Sequence, residues 1–113
     1  MPNSATVSFM YPSGAFDMKY FTEKHMRLIS DTWGSEGLES WEVTQFDSGL
    51  PYMVQAMLKF ESESKWKAAS SGPNGMKIWN DLPNFTTAQP EIFMGKCAAS
   101  HRTTLKEKKI FGE

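Results

Sequence analysis

The chain predicts an α+β domain whose elements run β-α-β-β-α-β around one antiparallel sheet. Three features carry that reading. Ala5 to Tyr11 and Tyr52 to Phe60 alternate with the two-residue period of strands. Asp17 to Trp33 repeats with the period of an amphipathic helix. A short link containing Gly49 and Pro51, from Asp47 to Pro51, joins two strand-like runs as an antiparallel hairpin. With 113 residues, the chain fits one domain with a single core.

In the first strand Val7, Phe9 and Tyr11 face one way and Thr6, Ser8 and Met10 the other, and Pro12, Ser13 and Gly14 end it. Asp17 is placed to cap the first helix, because its carboxylate can accept from free N–H groups of the first turn, and Phe16 and Phe21 have the spacing of a hydrophobic staple. At 100° per residue, Met18, Phe21, His25, Leu28, Ile29 and Thr32 form the inward stripe, with Lys19, Tyr20, Glu23, Lys24, Arg27, Ser30 and Asp31 opposite. Gly34 and Gly37 stop the helix.

Leu38 to Phe46 and Tyr52 to Phe60 are the hairpin strands. The latter puts Val54, Ala56, Leu58 and Phe60 on one face and Met53, Gln55 and Met57 on the other. Glu61 to Ser70 is a short helix with Trp66 and Ala69 inward, broken by Ser71, Gly72 and Pro73. Asn74 then caps a further turn or two in which Met76, Trp79 and Ile78 face inward. Leu82 to Gln89 reads as a loop, and a last strand runs from Pro90 to about Cys97, apolar on both sides. This order is the split βαβ, or ferredoxin-like, arrangement: helices on one face of a four-stranded sheet of spatial order 4-1-3-2. The other face is bare, and the simplest cover for it is a second copy of the chain, which predicts a homodimer. The domain spans residues 1–97. Residues 98–113 form a charged tail, expected to be disordered over most of its length or else docked on the partner subunit.

Twelve basic and thirteen acidic residues leave the chain nearly neutral, which argues against nucleic-acid binding. No segment has the length and apolarity of a bilayer span, and the first residues lack a secretory pattern, so no membrane association and a cytoplasmic location are expected. Cys97 stands alone, which rules out an internal disulfide or a thiolate metal cluster; it reads as a small buried hydrophobe near the end of the last strand. His25 and His101 are the only histidines and have no ligand spacing, so no metal or other cofactor is expected. Four Trp, eight Phe, three Tyr and eight Met point to apolar pockets and interfaces.

His25 is the residue with chemistry to offer. An imidazole on the buried stripe is costly unless hydrogen-bonded, and it is the side chain whose ordinary pKa lies nearest neutrality. It is either a core histidine satisfied by a backbone carbonyl or an acid/base group in an apolar cavity.

Several phrases resemble the EthD family, named for ethyl tert-butyl ether degradation, within the dimeric α+β barrel superfamily. They are Tyr11-Pro12-Ser13-Gly14-Ala15-Phe16-Asp17-Met18, Tyr20-Phe21 through Lys24-His25-Met26, Gly37-Leu38 with Trp41, and Leu82-Pro83-Asn84-Phe85. The resemblance covers roughly residues 5–97. One departure is visible: the family usually continues His-Met-Pro-Leu, and Arg27 replaces that proline, which predicts a straighter helix with a charge on its outer face. The resemblance implies a homodimer with sheets packed face to face, and in each subunit a cavity between sheet and helices. Relatives in the superfamily include cofactor-free cyclases, decarboxylases, isomerases and monooxygenases, and also haem binders.

The resemblance thus implies His25 as the acid/base residue. Tyr11, Asn84 and Gln89 are candidate donors to a developing enolate or phenolate oxygen, although turn-forming or capping roles stay open for each. Phe21, Trp41, Trp79 and Phe85 are candidate pocket walls, with Gln89 among the substrate-binding residues. The expected function is a cofactor-independent lyase or isomerase (cyclase, isomerase, dehydratase or decarboxylase type) acting on a small aromatic or polyketide-like molecule of secondary metabolism. The alternatives are a carrier module for an apolar ligand and a cofactor-free oxygenase.

Overall fold

In the computed structural model, which describes residues 4–101 and 103, four antiparallel strands lie in the order β2-β3-β1-β4. They are β1 (Ala5–Pro12), β2 (Leu38–Gln45), β3 (Tyr52–Phe60) and β4 (Glu91–Lys96). This is the predicted ferredoxin-like topology. Ser8 pairs with Met57 and Phe93, whereas Phe9 pairs with Ala56 and Ile92. The register therefore gathers Ala5, Val7, Phe9 and Tyr11 with Val54, Ala56, Leu58 and Phe60 on the helix-covered face, where all eight are buried.

The first helix starts as predicted. Asp17 accepts a hydrogen bond from the Tyr20 N–H at 3.0 Å, and the Phe16 and Phe21 rings meet at 5.1 Å. It is not a uniform α-helix, however. Segment α1 (Met18–Tyr20) passes into a π-helical turn (Phe21–His25) and then α2 (Met26–Trp33). Across that turn the Met26 N–H donates to the Phe21 carbonyl, five residues back. The extra residue shifts the downstream stripe by one place: Met26, Ile29 and Trp33 are buried, while Leu28 and Thr32, expected inward, are only half-buried. The straighter helix expected from Arg27 is likewise corrected. Arg27 does lie exposed on the outer face, but the helix is widened just before it, without any proline.

Gly34 is still helical, in a 3₁₀ turn (Gly34–Glu36), and the stop falls on Gly37 at φ 112°. A side chain there would be strained, and its Cβ would lie 2.8 Å from Lys65 Cβ.

After the hairpin come α3 (Glu63–Ser71), capped by Ser62 accepting from the Lys65 N–H at 3.1 Å, and α4 (Gly75–Asp81). Asn74 precedes α4 but makes no side-chain cap; its amide donates to Glu36 at 2.7 Å. The inward stripe of α4 is Gly75 and Ile78 and continues to Leu82, so Met76, expected inward, is 54% exposed. The expected loop begins as a 3₁₀ turn (Leu82–Asn84). Cys97 is also corrected: β4 ends at Lys96, and the thiol beyond it is exposed rather than buried. Most of the 98–113 tail lies outside the described residues.

Between helices and sheet the aromatic side chains form two groups. One centres on Trp33, in edge contact with Phe60, Trp66 and Trp79 at 5.5–5.9 Å. The other surrounds Tyr11, whose ring meets Phe16, Phe21 and Phe85 edge-on at 5.3–5.8 Å. The second group encloses the candidate site.

Candidate active site

The π-helical turn ends on His25 and points it inward, fully buried against Phe85 at 4.4 Å and Phe21 at 5.7 Å between ring centroids. Its Nδ1 lies 2.8 Å from Oδ2 of Asp81, the last residue of α4. A carboxylate at a helix C-terminus opposes the helix dipole and needs compensating donors. Asp81 has three: besides His25, the Tyr20 hydroxyl donates to Oδ1 at 2.7 Å and the Asn84 amide donates to Oδ1 at 2.8 Å.

Protonation follows from this geometry. Desolvation by burial acts upward on Asp81, but the hydrogen bonds from Tyr20, His25 and Asn84 outweigh it and hold the carboxyl below its usual 3.8. An ionised carboxylate only accepts, so Nδ1 of His25 carries a hydrogen. Burial pushes His25 below its usual 6.5, against the smaller opposing pull of the Asp81 hydrogen bond and charge. At neutral pH the imidazole is therefore neutral and its Nε2 holds a free lone pair. Among the described residues that buried atom has no hydrogen-bond partner. The Tyr11 hydroxyl, which burial pushes well above its usual range, is also buried without a partner among the described residues. Both rings pack on Phe21 and Phe85, so an unpartnered acceptor and an unpartnered donor share one aromatic nest.

The same groups make the fold acid-sensitive. Because His25 is depressed, the unfolded chain binds its proton more readily, so stability is fully present above about pH 6.5 and declines as pH falls below it. Asp81 is depressed as well, and what it contributes above 3.8 is lost as pH falls through its folded value. The melting temperature is expected to fall as pH is lowered from 7 to 4, and His25→Gln should remove the part of that fall beginning near 6.5. Calorimetry across that range checks it; a flat profile contradicts it.

The other sequence candidates are dispersed. Asn84 spends its amide on Asp81 and, at 3.3 Å, on the Tyr20 hydroxyl. Trp79 stacks on Phe9 at 5.9 Å and donates its indole N–H to the Ser70 carbonyl. Trp41 donates to the Ser30 hydroxyl at 2.7 Å in a separate groove with Leu38 and Gly34. Gln89 is exposed beside Leu82 and Thr86. Phe21 and Phe85 lie against His25.

An open groove of about 540 Å³ runs beside this nest, between Ala15–Met18 and Pro83–Thr87. Phe85 both lines that groove and packs on His25. The Asp17 N–H donates to the Phe85 carbonyl at 2.8 Å, which ties the two walls together. Asp81 was not among the residues singled out from sequence. Its one local signal is an acidic side chain at the end of a helix, directly before Leu82-Pro83-Asn84-Phe85.

No protein-family model matches the chain, and no curated protein does. Solved structures do match. An EthD-like protein from Ralstonia eutropha JMP134 aligns with a TM-score of 0.76 at 21% identity, over 89% of this chain and 97% of that one. The chain has the EthD-like fold. A dimeric ferredoxin-like protein from Jannaschia sp. CCS1 aligns with a TM-score of 0.61 at 11% identity, over 83% of this chain and 98% of that one. SnoaB, a cofactor-independent oxygenase from Streptomyces nogalater, aligns with a TM-score of 0.58 at 10% identity, over 88% and 97% of the respective chains. At these identities the likeness to each is one of fold. Among the described residues, no helix is long and apolar enough to cross a membrane.

Proposed function

We propose that the chain is a cofactor-independent acid/base enzyme for a small aromatic or polyketide-like molecule, with His25 as the base. The observation that carries this reading is the buried, unpartnered Nε2 of a histidine whose Nδ1 is tied to a carboxylate. Such an arrangement fixes the tautomer and leaves the lone pair free for a proton. In the proposed step Nε2 takes a proton from a phenolic O–H or an activated C–H, and the electron pair left behind settles on the substrate oxygen. The Tyr11 hydroxyl donates a hydrogen bond to that oxygen, and the imidazolium returns the proton elsewhere. In an isomerisation it goes to another carbon, in a cyclisation to the carbonyl oxygen attacked by the new carbanion, and in a dehydration to a hydroxyl that leaves as water when its C–O bond breaks. In a decarboxylation the base takes the carboxyl proton, the C–C bond breaks with release of CO₂, and the proton goes to the carbon left behind. Phe21 and Phe85 are the walls against which a flat ligand stacks, reached from the groove along Phe16 and Phe85.

A second reading is supported by the likeness to a cofactor-independent oxygenase: the same base forms a substrate anion that reacts directly with dioxygen. The test is solvent exchange. In D₂O, phenols bearing activated C–H positions and 1,3-dicarbonyl compounds are expected to exchange faster with the protein than without it, and His25→Gln should abolish the gain. Binding without any exchange or turnover means a carrier instead.

The active unit in this proposal is a homodimer closed through the bare sheet face. Met57, 37% exposed, and Phe93, 57% exposed, flank Ser8 on that face. Interfaces of obligate homodimers commonly exceed about 2,000 Å². The wild type is expected to sediment as a dimer at micromolar concentration and Met57→Lys as monomer or aggregate; a monomeric wild type contradicts the proposal.

A further inference from the structure

Asp81 receives three donors but offers its charge to only one group that can act as a base. Among the described residues its Oδ2 bonds only His25, while Oδ1 takes both the Tyr20 hydroxyl at 2.7 Å and the Asn84 amide at 2.8 Å. The Asn84 amide also lies 3.3 Å from the Tyr20 oxygen, which closes a small ring of bonds around Oδ1. The three donors come from two separate elements, the first helix and the turn after α4, so the carboxylate is held from both sides. Each hydrogen bond to a carboxylate draws negative charge onto itself, and charge so shared is less able to attract a second proton to the imidazole.

We propose that Tyr20 and Asn84 are positioning residues for His25 that act at one remove, sharing the charge of Asp81 so that the carboxylate orients the imidazole without drawing a second proton onto it. This deepens the proposed role of His25 as a base and rests on it. Asn84 thereby acts from behind the imidazole rather than on the substrate. The direction of the effect is counter-intuitive: removing a donor from Asp81 makes the carboxylate a stronger partner for the imidazolium, so His25 becomes easier to protonate and a poorer reservoir of free base at neutral pH. The other ionisable groups nearby are Asp17, Lys19, Glu23 and Lys24, which line the groove beside Tyr20, with Lys24 Nζ 5.8 Å above the Tyr20 ring, and Tyr11 from β1. Among the described residues none of these hydrogen-bonds Asp81.

The test needs no substrate. Full-length protein labelled with ¹⁵N-histidine gives two imidazole signals, and His101→Gln assigns them. Tyr20→Phe keeps the ring that stacks over Phe85 at 6.2 Å and removes only the hydroxyl. The His25 titration midpoint is expected to rise by about 0.5–1 unit in Tyr20→Phe and in Asn84→Ala, the scale of one hydrogen bond to a charged group. In an Asp81→Asn background, which by itself lowers the midpoint, Tyr20→Phe is expected to have no effect. Unchanged midpoints in the folded single variants overturn the inference, as does a Tyr20→Phe shift that persists without the Asp81 charge; should Asn84→Ala fail to fold, Tyr20→Phe decides alone. Loss of exchange activity in His25→Gln alongside an unmoved midpoint in Tyr20→Phe overturns this inference but leaves the base in place. A shifted midpoint with full activity in His25→Gln does the reverse.

Discussion

His25→Gln is expected to lower turnover about 10²- to 10⁴-fold, the range typical for removal of a general acid/base group. Glutamine places its amide near where Nε2 stood rather than at Nδ1, so Asp81 loses the His25 donor and keeps those from Tyr20 and Asn84. What glutamine cannot supply is a lone pair on nitrogen near neutral pKa where Nε2 stood. With two of the three donors to Asp81 retained, the variant should fold and dimerise at pH 7, melting somewhat lower, while the chemistry is lost. Tyr11→Phe is expected to reduce turnover with the fold retained, since its buried hydroxyl has no partner among the described residues to lose. Full activity in folded His25→Gln means that the histidine serves only the packing.

The second large effect falls on stability. Trp33 is fully buried, stands in edge contact with Phe60, Trp66 and Trp79, and donates its indole N–H to the Ala69 carbonyl at 3.2 Å. It joins α2 to α3, α4 and the sheet, so truncation removes a large side chain where no neighbour can collapse into the space. Trp33→Ala is expected to cost about 3–5 kcal/mol, the range for large-to-small aromatic changes in cores. Against a typical total of about 5–15 kcal/mol, that leaves a chain near the edge of folding, with a melting temperature lower by at least about 12 °C. A loss of only a few degrees contradicts the central place given to this ring.

The strands were legible because alternation survives translation into structure: Val7, Phe9 and Tyr11 all land on the covered face with Val54, Ala56 and Leu58. Asp17 and Phe16 announced the helix start for the same reason, since capping and stapling are local. The π-helical turn was hidden because it is a one-residue change of phase, and its sign is seen only downstream, where Trp33 takes the place expected of Thr32. Met76 failed through phase, because the buried stripe of α4 runs through Gly75, Ile78 and Leu82, and Cys97 failed through a boundary, because β4 ends one residue before it. At the site, His25 was visible as a polar residue on an apolar stripe. Its partner was not: Asp81 lies 56 residues away, and only the packing of α4 against the first helix brings the two together. Asn84 was noticed, but with its amide assigned to the substrate, because sequence does not show that Asp81 occupies it. Trp41 and Trp79 looked alike as wall candidates, yet one lines a groove with Ser30 and the other stacks in the core on Phe9.

The central claim is that His25 stands at neutral pH as a neutral imidazole with hydrogen on Nδ1 and a free lone pair on Nε2. The ¹⁵N spectrum of the labelled imidazole at pH 7 tests this most directly, because protonated and bare ring nitrogens are well separated in chemical shift. One protonated nitrogen coupled toward Asp81 and one bare nitrogen are expected, with the pattern lost in Asp81→Asn. Hydrogen on Nε2, or on both nitrogens at that pH, contradicts it.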